Sequence, residues 1–218
     1  MAFYGARSFS KGATIMRKIA VLYSGHAPHY RTFHEPKINN YLEKIIYLPR
    51  FKESDLDGMD VLIVPSQLHL PLLMDAVPAI QRFADNGGIV VAFGPQPLEW
   101  IPNQQWELRP TNFWWWLEPN ADSGLRLVAP DYPLFRDGHL TERDCTWHQH
   151  GVFHLKEGMQ SLIDMKDGGS LLYVDKVSSK GTWIVTTLDP DFHYGSYFMP
   201  ATEHFLVGFI PWLASGEI

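Results

Sequence analysis

The run RKIAVLYSG (residues 17–25) is apolar almost without interruption and closes on a turn glycine; DVLIVP (60–65) and GGIVVAF (87–93) repeat that pattern. Short unbroken apolar runs bounded by Gly or Pro belong to strands buried on both faces, as in parallel sheets. Between the second and third runs, Leu73, Val77, Ile80, Phe83 and Ala84 recur at helical spacing over 72–85, and Asn86-Gly87-Gly88 supplies a C-terminal stop. HAPHYRTFHEP reads as a loop, followed by a short amphipathic helix over 36–44 with Pro36 in its first turn and a strand at 45–48. Strand and helix in alternation predict an α/β fold, a three-layer, doubly wound and mostly parallel sheet.

The second half changes character. Residues 97–157 are irregular and Trp-rich, with strand candidates only at 125–129 and 146–153. Order returns at 171–177 and 182–188, two apolar runs around Ser178-Ser179-Lys180-Gly181 that predict a late antiparallel hairpin. Residues 201–214 form a closing amphipathic helix, with Phe205, Leu206, Phe209, Ile210 and Leu213 inward. One domain over 16–218 is expected, and 1–15 reads as a flexible arm or an upstream start.

Composition narrows the function classes. The formal charge of −6 (18 basic, 24 acidic residues) includes no Lys/Arg run, which argues against nucleic acid or an anionic membrane as partner. No apolar run approaches the ~20 residues of a membrane helix. Cys145 is the single cysteine, so no intramolecular disulfide or cysteine zinc cluster exists, and a reducing cytoplasm is the expected location.

Ligands of open parallel sheets bind beyond the carboxyl ends of the strands, and the residues there are rich in chemistry. His26, His29, Tyr30 and His34 follow the first strand; Ser66, Gln67 and His69 follow the third; Gln96, Glu99 and Trp100 follow the fourth; Asp189, Asp191 and His193 follow the hairpin. We expect His26, His29, Gln67, Trp100, Asp189, Asp191 and His193 to share one pocket for a small polar molecule, with His69 and Gln96 as further lining. Carboxylates set against imidazoles there would raise the imidazole pKa values, whereas direct metal ligation would need neutral imidazoles and lower them. LDPDFH could equally be an Asp-Pro turn with capping aspartates. His148 and His150, in TWHQHGVFH, suit a metal if they share a strand face, but exposed polar strand positions explain them too. No nucleotide motif is present, and a divalent metal stays open as the cofactor. Trp114, Trp115 and Trp116 cannot all face one way, so one of them is expected to be partly exposed, as a contact for a partner or flat ligand or as part of a satellite core.

The glycine turn after IVVAF, LYSGHAPHYRTFHE, and KGTWIVTTLDPDFHYGS ahead of the terminal helix together resemble the class I glutamine amidotransferase-like superfamily, a flavodoxin-like fold. The likeness is to its non-amidotransferase branches, the ThuA-like proteins and the domain of some β-galactosidases. That resemblance implies a catalytic cysteine at the turn after the fourth strand and a His-Pro-Glu after a late strand. Here those positions hold Gly94-Pro95 and Asp189-Pro190-Asp191. A thiolate mechanism needs the thiol and its base, and both are missing. Two readings remain: a non-catalytic module, of assembly or of small-molecule (carbohydrate) binding and able to form a homo-oligomer; or an enzyme using the His/Asp edge, metal-assisted, on a sugar-like or other small polar substrate.

Overall fold

The structure, a computed structural model, describes residues 16–111, 119, 121–197 and 199–218. The expected arm at 1–15 and Trp114, Trp115 and Trp116 lie outside the described residues.

Among the described residues, ten strands form one sheet: β1 (Ile19–Tyr23), β2 (Leu42–Tyr47), β3 (Val61–Val64), β4 (Ile89–Ala92), β5 (Trp106–Leu108), β6 (Leu125–Leu127), β7 (Gly151–Phe153), β8 (Gln160–Met165), β9 (Ser170–Asp175) and β10 (Thr182–Thr186). The order is β2-β1-β3-β4-β10-β9-β7-β5, with β6 paired to β8 and β8 to β9. From β2 to β10 every pairing is parallel. At β9 the sheet turns antiparallel, because β9 and β10 are joined by the expected hairpin. A second hairpin, β8–β9, turns at Gly168 and Gly169, whose φ of 100° and 88° favour glycine.

Period-two alternation sorts the strand residues between two layers. Ile19, Val21, Val61 and Ile63 pack with Phe33, Phe205 and Phe209, on the side of α1 (Ala27–His34), α2 (Pro36–Asn39) and α6 (Pro200–Ser215). Ala20, Leu22, Leu62 and Val64 pack with Leu73, Val77 and Ile80 of α3 (Leu70–Asp85). The five residues expected on the inner face of the closing helix are all fully buried. Two short helices, α4 (Pro133–Arg136) and α5 (Pro190–Gly195), complete the fold. No helix among the described residues is long and apolar enough to cross a membrane.

The segment after β1 departs from expectation. The supposed loop is α1, and the supposed helix over 36–44 is only the single turn α2. Pro36 crowds the preceding residue out of the helical region; Glu35 accordingly sits at φ −66°, ψ 126° and ends α1. The strand then starts at Leu42 rather than 45, drawn in by pairing with Ile19. The buried residues of α1 are His29, Thr32 and Phe33, an i, i+3, i+4 face that is mostly polar.

Candidate functional site

Three strand ends converge beyond the carboxyl edge. β3 runs into Pro65-Ser66-Gln67, β4 into Phe93-Gly94-Pro95, and β10 into Leu188-Asp189, the start of α5. Gly94 sits at φ 80°, and its N–H donates to the Leu188 carbonyl at 2.8 Å. A Cβ there would lie 2.5 Å from the Ser66 Cβ and 3.5 Å from the Asp189 Cβ. Nucleophile elbows draw one oxyanion donor from the N–H after the nucleophile. Pro95 has no N–H, so this turn lacks the donor as well as the thiol.

Around that turn the charged residues fall into two buried groups. In the first, Ser66 donates both its N–H and its hydroxyl to Asp191 Oδ2, each at 2.9 Å. His29 Nε2 approaches the same oxygen at 2.9 Å, off the line of a hydrogen bond. Thr32 donates to the Asp191 carbonyl at 2.7 Å, which ties α1 to α5. The His26 ring packs edge-on to His29 and stacks on Phe192, with ring centroids 5.1 Å and 5.4 Å away.

The second group holds Asp189, His193 and His148, all buried, with His150 beside them. Nε2 of His193 lies 3.1 Å from Nε2 of His148 and 3.3 Å from Asp189 Oδ1. Trp147 donates its indole N–H to Asp189 Oδ1 at 3.3 Å, and His150 Nε2 stands 3.9 Å from Oδ2. His148 and His150 are not strand residues: both precede β7, and the contact with α5 buries His148 to 4% exposure.

Burial dominates the electrostatics, against the expectation that nearby carboxylates raise the imidazoles. His148 is pushed down to about 4, because burial penalises its cation more than Asp189 favours it, with His193 and His150 adding to the fall. His26 is also lowered, by burial and then by His29, with Asp191 opposing. For Asp189, burial pushes upward, but the His193 contact and the nearby imidazoles outweigh it and hold the carboxyl low.

The other expected residues divide. Gln67 is exposed at φ 49°, and with Gln96, Pro95, Trp106, Leu108 and His150 it lines a groove of about 520 Å³ beyond β3 and β4. Trp100 does not face the two groups as an aromatic wall. It is buried, donates to Gln96 Oε1 at 2.7 Å and packs against Trp183, so its role is to hold the loop after β4. His69 is exposed at the N-terminus of α3 and caps nothing with its side chain. The expected pocket did not include Trp106 and Leu108, on the groove, or Trp147, on Asp189, although both tryptophans belong to the Trp-rich half; their places depend on β5 and on the segment before β7, where the apolar pattern is thin.

No family model matches the chain, and no curated protein matches it. Solved structures do. Cytoplasmic protein STM3548 of Salmonella typhimurium superposes with a TM-score of 0.54 at 11% identity, over 91% of this chain and 99% of that one. A putative GMP synthase protein of Thermoplasma acidophilum gives 0.54 at 13%, over 90% and 94%. The exo-β-1,4-mannosidase Op5Man5 of an Opitutaceae bacterium gives 0.52 at 12%, and this chain spans 36% of its length. At such identities the likeness is one of fold alone: the chain shares the α/β architecture of these neighbours, a mixed sheet between helices.

Proposed function

We propose that this chain is a binding module for a small, sugar-like polar molecule held in the groove beyond β3 and β4, and that it does not hydrolyse glutamine. The observation that carries the reading is the Gly94-Pro95 turn, which offers neither nucleophile nor oxyanion donor yet sits beside a groove of ligand size. A pyranose presents an apolar C–H face to an aromatic ring and hydroxyls to amides and imidazoles. Trp106 and Leu108 supply the first kind of surface, and Gln67 and His150 the second. The mannosidase neighbour, which carries this fold as part of a longer chain, agrees with a carbohydrate setting.

The test is calorimetric titration of the chelator-treated protein with a panel of mono- and disaccharides. Binding by at least one sugar, weakened about tenfold by Trp106→Ala, is expected; tenfold corresponds to about 1.4 kcal/mol. A panel without binding, or binding indifferent to Trp106→Ala, defeats the reading. The second reading, metal-assisted catalysis, is favoured by the arrangement around Asp189.

A further inference from the structure

We propose that His148, Asp189 and His193 form a binding site for a divalent transition-metal ion. The site goes beyond the sugar groove and does not depend on it.

The geometry argues first. Donor atoms tetrahedral about zinc, at 2.0–2.1 Å from the ion, stand about 3.3–3.4 Å from one another. The two spacings around His193 Nε2, 3.1 Å to His148 Nε2 and 3.3 Å to Asp189 Oδ1, lie close to that edge length. One ligand atom from each of the three residues falls within 4.8 Å of the other two. A chain of ordinary hydrogen bonds is the simpler account of any one of these distances. It fits the set less well, because His193 directs one nitrogen at an imidazole nitrogen and a carboxylate oxygen together, and a single N–H cannot align with both.

The chemistry of the donors agrees. Two imidazoles and one carboxylate suit zinc, iron(II) or manganese, and no thiolate is present to select a softer ion. Ligating imidazoles must be neutral, so zinc binding should weaken as pH falls. Ligands also need partners that hold them in place. Trp147 fixes Asp189 Oδ1, and the Asp191–Ser66 bonds anchor the helix that carries His193. His148 lines a cavity of about 290 Å³, while His150, beside Asp189, opens on the groove.

The test is a zinc titration of the full chain after chelator treatment, read by calorimetry, with bound metal counted by elemental analysis. One equivalent of zinc at a Kd below about 10 µM, weakened at least about 100-fold in His148→Ala and in Asp189→Asn and unchanged in His69→Ala, is the expected result. Circular dichroism checks that the variants fold. If they do not, the wild type decides: zinc at 100 times its Kd should stabilise the protein by about 2.7 kcal/mol, and histidine NMR signals should show His148 and His193 among the perturbed rings. No stoichiometric zinc, or full affinity in both folded variants, overturns the proposal. Sugar binding is measured on metal-free protein, so the two proposals stand or fall separately.

Discussion

Nε2 of His29 and Oδ2 of Asp191 lie 2.9 Å apart with both side chains fully buried, and they join the first helix after β1 to the helix after β10. The same oxygen accepts both bonds from Ser66, so one carboxylate holds three segments of the chain. Removing the carboxylate strands the buried N–H and hydroxyl of Ser66, at about 1–3 kcal/mol for each unpaired donor, or about 2–6 kcal/mol for the two. Asp191→Ala should therefore lower the melting temperature by about 4–24 °C in a chain of this size, read by circular dichroism. The double variant with His29→Ala should lose less than the sum of the singles. A fall below about 2 °C would mean that Asp191 carries no such role.

Gly94→Cys places a thiol where the amidotransferase pattern has one, and glutaminase activity should remain absent. Asp189 stands where the pattern has its base, and Pro95 offers no oxyanion donor. The substitution should also destabilise by about 1–3 kcal/mol, since φ is 80° and the new Cβ meets Ser66. Ammonia release from glutamine above the wild-type background would refute this account of the elbow.

Cys145 is fully buried, and burial raises its thiol well above the usual range. Iodoacetamide should leave the native protein unmodified while labelling it fully in denaturant. Cys145→Ser should keep both sugar and zinc binding. Rapid native labelling, or loss of binding in the folded variant, contradicts this.

His26 should titrate below the ordinary histidine value of 6.5. Between the folded and the unfolded pKa, the unfolded chain binds more protons, so stability rises with pH in that window. That stability is lost as pH falls from about 6.5 through the folded value, and His26 has no effect on it above about 6.5. Replacing His26 with Asn should flatten the pH dependence of the denaturant midpoint over that acidic range. An unchanged slope, or an NMR midpoint above about 6.5, counts against it.

The parts of this structure legible in the sequence are those whose burial is local and apolar. β3 and β4 are unbroken aliphatic runs, β1 and β10 are apolar through their centres, and α6 shows its inner face at helical spacing. Helix α1 escaped because its buried positions include His29 and Thr32, which meet Asp191 far along the chain (separation 159 for Thr32). His148 was hard to weigh for the same reason: it meets His193, 45 residues further on. The strand-end rule gathered His26, His29, Asp189, Asp191 and His193 near one edge of the sheet. It could not separate them into two groups, nor show that Trp100 turns its indole inward to Gln96.

Strand β5 has one more consequence. It ends the sheet among the described residues, is only three residues long, and exposes 75% of Leu108 between Glu107 and Arg109. Brevity and flanking charge are how edge strands resist pairing with a neighbour's sheet. Leu108 also borders the groove, so an occupant there would cover the most exposed aliphatic side chain of that edge. If the groove takes the proposed ligand, the free protein should be the form that clouds first in concentrated solution.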